Sequence, residues 1–364
     1  MSEVLREAVS AEAALREMNA KTKPLGALGY LETVGVRLAI LQNSLEPSVD
    51  RARVCVFGAD HGISDEGVSA YPRAVTAEMM KNFDRGGAAI NAIAQSGSVE
   101  VEVINVGVDA ELSSLANVRS AVVRRGTRNF ANEPAMSDAE LDAAIRVGAD
   151  AGRRAYDDGV RALGIGEMGI GNTTSASALL CALEDVRVEH AVGRGTGIDD
   201  DRLAVKRRAV ESAVSLHCTR ESAPRDVLRC LGGLEIAAMA GAALEGARLG
   251  LAIVADGFIS TTAVLAALHI ARARSNEELE SLGRSLFFAH RSAELGHRLV
   301  LERCGAFENV DATALLDLGM RLGEGSGAAL AMSLLRAGAA LMRDMATFES
   351  AQISAGDQAE QHGV

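Results

Sequence analysis

The chain has 364 residues and a formal net charge of −12, with 49 acidic against 37 basic side chains, a balance that excludes binding to nucleic acid through a broad basic face. Hydrophobic residues make up 48% of it but aromatics only 3%, with no Trp, so the core is packed from Ala, Val, Leu and Ile, and the length leaves room for two domains. The five cysteines, Cys55, Cys181, Cys218, Cys230 and Cys304, form no C-x-x-C pair and read as buried, reduced thiols of a cytoplasmic protein.

The first residues, MSEVLREAVSAEAALREM, interleave charges at helical spacing and lack the apolar run of a signal peptide. Residues 1–20 read as a helix that Lys23-Pro24-Leu25-Gly26 breaks. A second helix is predicted near 28–43, with Leu28, Leu31, Val34, Leu38 and Leu41 on one face. From residue 53 short β-rich runs, at 54–57, 101–106, 162–165, 251–254 and 286–288, end in glycine-rich loops that lead into long Ala/Leu helices. Repeated strand, loop and helix units imply an α/β fold with a parallel sheet covered on both faces. Ligands of such sheets bind beyond the carboxyl ends of the strands, where Asp60-His61-Gly62, residues 164–174, Asp256-Gly257 and His290-Arg291-Ser292 fall. Residues 312–348 read as a helix, a glycine-rich turn and another helix. The expected domains are a small helical one from 1–45 and 312–350, an α/β one over 46–311, and a disordered tail at 351–364. The apolar stretches around 250–271 and 327–342 are interrupted by Asp256 and Arg336, so no membrane span is predicted.

Three segments carry the chemistry. Gly164-Ile165-Gly166-Glu167-Met168-Gly169-Ile170-Gly171-Asn172-Thr173-Thr174 leaves a strand and opens a helix. Its glycines admit a phosphate to backbone amides, and the helix dipole favours an anion there. The segment also fits G-x-G-x-x-G, but the polar Asn-Thr-Thr after it is unlike a dinucleotide turn. Gly193-Arg194-Gly195-Thr196-Gly197-Ile198-Asp199, followed by Lys206, offers amides, a hydroxyl and a point charge to the same phosphate; the alternative is a surface loop beside a solvated lysine. Leu322-Gly323-Glu324-Gly325-Ser326-Gly327 holds a carboxylate between glycines, so that a flat ring can lie against it. A helix start lowers such a group's pKa and burial raises it, and a useful base needs burial to win. The plainer alternative is an ordinary helix-start glutamate. His61, His290 and His297 have no H-x-x-x-H or H-E-x-x-H spacing and read as hydrogen-bonded loop histidines, with no metal site. No G-x-S-x-G elbow supports a serine nucleophile.

Taken together these segments resemble the nicotinate-nucleotide dimethylbenzimidazole phosphoribosyltransferase family. The likeness covers about residues 20–350, through Thr22-Lys23-Pro24-Leu25-Gly26-Ala27-Leu28-Gly29, Ala59-Asp60-His61-Gly62, Glu66-Gly67-Val68-Ser69-Ala70-Tyr71-Pro72 and Gly86-Gly87-Ala88-Ala89-Ile90-Asn91. It continues through Gly166 to Thr174, Gly195-Thr196-Gly197, Gly232-Gly233-Leu234-Glu235-Ile236-Ala237, Asp256-Gly257-Phe258-Ile259 and Leu322 to Gly327. The resemblance implies a Rossmann-like parallel sheet with a small helical domain, a homodimer, and no metal or redox cofactor. It implies transfer of phosphoribose from nicotinate mononucleotide to 5,6-dimethylbenzimidazole, giving the α-ribotide used in cobalamin assembly. Glu324 would be the general base, with Glu167 its rival. Phosphate and ribose would meet Gly166, Glu167, Gly169, Asn172, Thr173, Gly195, Thr196, Lys206, Asp256 and Ser292. The base pocket would involve Ser69, Tyr71, Met79, Leu322 and Glu324.

One position departs from the resemblance: Glu78 stands on the wall near the incoming base where glutamine is expected. The other acceptors to weigh are therefore adenine, other benzimidazoles or a phenol. Two further readings are a nicotinamide-dinucleotide oxidoreductase resting on 164–169 and a nucleotide-binding protein without chemistry. The run Ala237–Ala243 offers a small-residue face for packing between chains.

Overall fold

The computed structural model describes residues 8–195 and 197–354. Within them seven strands form one parallel sheet: β1 (Ala52–Ala59), β2 (Glu100–Gly107), β3 (Val118–Ser120), β4 (Ala162–Met168), β5 (Ala252–Ala255), β6 (Leu286–His290) and β7 (Ala314–Leu316). Their order across the sheet is β3-β2-β1-β4-β5-β6-β7, the doubly wound arrangement in which the chain reverses direction between β1 and β4. The central strands are apolar along nearly their whole length, since β5 and β6 are buried at every residue, as a sheet with helices on both faces requires. β4 sits in register with both neighbours, Phe57 opposite Glu167 and Ile165 opposite Ala255.

The two edge strands, β3 and β7, are absent from the sequence reading. Each has three residues, too few to display a period. β7 lies where the first helix of 312–348 was expected, and that expectation fails: Ala-Leu-Leu has no local aversion to helix, but pairing with β6 at Phe288↔Ala314 and His290↔Leu316 overrides propensity. β4 also runs three residues further than the predicted 162–165. Gly164 and Gly166 are therefore strand residues, and the G-x-G-x-x-G spacing does not describe a phosphate loop.

Two compact units are present, one of residues 52–331 and one of the flanking segments up to 51 and from 332 onward. In the larger, helix Leu234–Arg248 packs against helix Asp138–Asp157 at backbone distance. A Cβ on Gly148 would meet the Ala238 carbonyl oxygen at 1.7 Å, and one on Gly241 the Ile145 carbonyl oxygen at 2.0 Å. The Ala237–Ala243 run is buried within the chain by this packing, so it is not the intermolecular face that the sequence offered. In the smaller unit, Ser10 Oγ accepts the Ala13 amide at 3.1 Å and starts the helix Ala11–Ala20. That helix buries Ala14 and Met18 with Ala39 and Met342. The rest of the predicted 1–20 helix and most of the tail lie outside the described residues.

All five cysteines are free, and Cys218 is half-buried where burial was expected of all of them. No described helix is long and apolar enough to cross a membrane.

Candidate active site

The carboxyl ends of β4, β5 and β6 open onto a cleft of about 650 Å³, next to the switch point between β1 and β4. One set of lining groups is polar: Asn172, Thr173, Gly195, Ser292, Glu294 and Arg321. Asn172 and Thr173 open the helix Asn172–Glu184, whose N-cap is Gly171 at φ 99°, with no side chain spent on the first-turn amides. Both residues line the cleft, so the positive end of the helix dipole lies at its wall. Behind Thr173 lies Lys206, 1% exposed, its Nζ donating to Thr173 Oγ1 at 2.8 Å and to the Gly193 carbonyl at 3.3 Å. Burial pushes this ammonium down to about 8, with Glu294 opposing the shift. Two neutral acceptors are thin compensation for a buried cation, and Glu294 supplies the opposing charge. Arg321 donates to the Gly195 carbonyl at 3.1 Å and is the one guanidinium among the described lining residues.

Ser292 is held from behind. His297 Nδ1 accepts the Ser292 amide at 2.7 Å while Nε2 meets Thr261 Oγ1 at 3.0 Å. Burial and the neighbouring His290 push His297 down to about 3, so the ring is neutral and donates from Nε2. The histidine is a hydrogen-bonded strut, and among the described residues no cluster suited to a metal occurs.

The other set of lining groups is apolar and includes Tyr71, Val75, Met79, Ile259 and Leu322, suited to a flat ring. Against it stand three carboxyls. Glu167 is the next-to-last residue of β4, at 6% exposure; burial, then Glu235 and Asp256, push it up to about 8 against the pull of the Asn172 amide. Asp256 follows β5 at 1% exposure and is pushed up to about 7 by burial, opposed by the amides of Ala328, Gly327 and Gly325. Glu324, at 6% exposure, is raised by burial and by Asp256, while backbone amides of Ile90 and Ala89 pull it down. Its Oε2 accepts the Ile90 N–H at 3.2 Å, from the first turn of helix Ala89–Ser96.

The Leu-Gly-Glu-Gly-Ser-Gly sequence follows from this geometry. Gly323, Glu324 and Gly325 all have positive φ, 89°, 64° and 82°, and for the glutamate that costs about 1–3 kcal/mol. A Cβ on Gly323 would lie 2.2 Å from Glu167 Oε1, so only glycine lets the two carboxyls approach. Gly166 is the floor of the turn: a Cβ there would meet the Gly325 amide nitrogen at 2.4 Å and its Cα at 2.6 Å.

Of the residues singled out from sequence, Tyr71, Met79, Glu167, Gly169, Asn172, Thr173, Gly195, Asp256, Ser292, Leu322 and Glu324 line the cleft. Lys206 reaches it through Thr173, and Gly166 supports it without lining it. Ser69 is half-buried, its Oγ accepting the Tyr71 amide at 3.2 Å, and Glu78 is exposed; neither is in the lining. Thr196 lies outside the described residues. The sequence reading missed Arg321, Glu294 and the amides of Ala89 and Ile90. Arg321, adjacent to Leu322, was within reach of it; the amides belong to Gly86–Asn91, a segment read for likeness but not for contact.

A doubly wound sheet with a carboxyl-rich cleft at its switch point and a buried lysine beside a helix start defines an α/β enzyme acting on a small anionic molecule. A family model described as "Phosphoribosyltransferase" matches residues 5–353. A Geobacter sulfurreducens protein named nicotinate-nucleotide–dimethylbenzimidazole phosphoribosyltransferase is 44% identical over 337 residues, covering 93% of this chain and 92% of its own. A protein of the same name from Chromobacterium violaceum is 47% identical over 333 residues, 92% of each. The crystal structure of CobT from Thermus thermophilus superposes with a TM-score of 0.88 at 45% identity, covering 95% of this chain and 99% of that one. The chain belongs to this phosphoribosyltransferase family and is a transferase.

Proposed function

We propose that the enzyme moves the 5-phosphoribosyl group of nicotinate mononucleotide onto 5,6-dimethylbenzimidazole, releasing nicotinate and forming α-ribazole 5′-phosphate for the cobalamin nucleotide loop. The observation that carries this reading is the pairing, in one cleft, of an anion-binding wall with a buried glutamate against an apolar surface. The phosphate lies at the start of helix Asn172–Glu184 with Lys206 and Arg321; Ser292, on its histidine strut, faces the ribose. The benzimidazole lies on Tyr71, Met79 and Leu322. Glu324 takes the proton from one ring nitrogen as the other attacks the anomeric carbon from the face opposite nicotinate. The C–N bond to the pyridinium breaks, and its electron pair leaves on a neutral ring nitrogen. Two flat rings held about one sugar, plus one proton removed, are sufficient chemistry because the leaving group is already activated.

The unequal carboxyls support the choice of base. A group near 8 is protonated at neutral pH, so Glu167 serves as a neutral hydrogen-bond donor, while Glu324 is raised without a charge cluster of that depth around it. Glu324→Gln is expected to bind nicotinate mononucleotide normally and to release nicotinate roughly 10²–10⁴-fold more slowly; full turnover in that variant removes Glu324 from the role. The exposure of Glu78 supports dimethylbenzimidazole over acceptors that need a carboxylate on the pocket wall. Adenine and p-cresol, offered separately as acceptors, test that preference. The enzyme acts as a cytoplasmic homodimer, which sedimentation of the purified protein checks.

A further inference from the structure

Asp256 looks, by its place after β5, like a ligand contact. Its oxygens are otherwise engaged. Oδ2 accepts the Gly325 amide at 3.2 Å and Oδ1 the Ala328 amide at 3.0 Å, bracketing the turn that presents Glu324. At 1% exposure it has almost no surface to offer a substrate. The helix Ser326–Asp344 starts at this turn, so Asp256 does for it what a local N-cap residue does elsewhere, from a strand some 70 residues earlier in the chain.

We infer that Asp256 is a positioning residue that acts on the reaction through Glu324: it pins the strained Gly323-Glu324-Gly325 turn from the helix side, opposite the Ile90 amide that grips the Glu324 carboxylate. The inference rests on the reading of Glu324 as base. Four anchors then fix that carboxylate: the Gly166 floor, the Gly325 and Ala328 amides on Asp256, and the Ile90 amide on Oε2. The charge of Asp256 also bears on Glu324, raising its pKa. The other titratable or charged groups facing this corner are Glu167 on β4, His290 on β6, whose Nε2 is 4.0 Å from Asp256 Oδ1, and Arg321 and Glu294 in the cleft; Glu235 acts on Glu167 from helix Leu234–Arg248. An amide at position 256 accepts through one oxygen only and sets an N–H₂ against the other backbone N–H, so the turn loosens while the phosphate wall is untouched.

The test is a cycle of Asp256→Asn, Glu324→Gln and the double variant, with nicotinate mononucleotide affinity by calorimetry and nicotinate release across pH. Asp256→Asn is expected to keep substrate affinity within about threefold and lose turnover roughly 10²-fold, the worth of a ~1 Å misplacement. Where Asp256 is ionised, above about pH 7, its loss makes Glu324 more acidic, so the part of the acidic limb that lies there should move to lower pH. The double variant should be no slower than Glu324→Gln alone. A tenfold or greater loss of substrate affinity with turnover and acidic limb unchanged makes Asp256 a ligand contact and overturns the inference. Multiplying losses in the double variant overturn it too, while leaving the base in place. Unchanged turnover in Glu324→Gln overturns the base assignment itself, and this inference with it. If Asp256→Asn does not fold, Asp256→Ser, whose shorter side chain withdraws both acceptors from the turn, carries the same comparison.

Discussion

Adding one methyl group to β4 probes the site without touching a titratable residue. In Gly166→Ala the new Cβ would stand 2.4 Å from the Gly325 amide nitrogen and 2.6 Å from its Cα, where ordinary contact begins near 3.4 Å. Both obstructing atoms are backbone, so rotamer changes offer no relief. β4 is itself held on both sides by β1 and β5, so the turn must retreat, by about 1 Å. Overpacking of this kind costs roughly 1–3 kcal/mol, which a two-unit protein of this size survives. A ~1 Å retreat of the base costs about 10²-fold in turnover. Nicotinate release is the assay, with calorimetry for nicotinate mononucleotide affinity and a thermal melt for folding. Gly152→Ala is the control, since its Cβ meets Ala242 O and Gly246 N at a marginal 3.3 Å, far from the cleft. A folded Gly166→Ala enzyme with full turnover would refute the claim that the Glu324 turn is set by its fit against β4.

Two further predictions concern protons. Glu167 near 8 and Asp256 near 7 are raised from ordinary values of 4.5 and 3.8, so between roughly pH 4 and 8 the folded protein holds protons that the unfolded chain gives up. Their contribution to stability is full below about pH 4 and is lost as pH rises through 7–8. The melting temperature of the substrate-free enzyme should therefore fall across that window, and less steeply in Glu167→Gln; equal slopes rule out Glu167 as the source. Lys206, near 8 when free, should be raised by a bound phosphate. Affinity for nicotinate mononucleotide is then expected to fall as pH rises above about 8, and calorimetry in buffers of different ionisation enthalpy should detect proton uptake there. Lys206→Gln should bind roughly 10–100-fold more weakly, as loss of a charged hydrogen bond implies, and without that pH dependence.

What could be read from sequence and what could not divide along chain separation. The strands with long apolar runs and the glycine-rich loops after them are local signals, and they place the cleft at the right end of the sheet. The Gly-Glu-Gly turn is legible for the same reason, since the backbone conformation and the crowding are both recorded in residue type. The partners of that turn are not. Ile90 lies 234 residues from Glu324, and Asp256 lies 72 from Ala328; a lone isoleucine amide leaves no trace in side-chain identity, and an aspartate after a strand looks the same whether it faces a substrate or caps a distant helix. Glu78 shows the converse limit: helical spacing brings it near Met79 in sequence, but the two point apart, one exposed and one into the cleft.

The proposed division of labour between the two glutamates would follow from those distant partners rather than from the residues themselves. Glu167 and Glu324 have the same side chain, nearly the same exposure and a shared glycine, Gly323, between them. Glu167 lies near the end of a strand and meets a neutral side-chain donor, Asn172, with Glu235 and Asp256 adding negative charge. Glu324 meets the first-turn amides of a helix, the strongest stabilisation for a carboxylate that a backbone supplies. Burial pushes both up, but only Glu324 has helix-start amides to hold it back. Moving the base role to Glu167 would require removing the Glu235 and Asp256 charges around it. Asp256 accepts the amides that bracket the Glu324 turn, so on the proposed mechanism the same aspartate would disfavour Glu167 as the base and hold Glu324 in position for it.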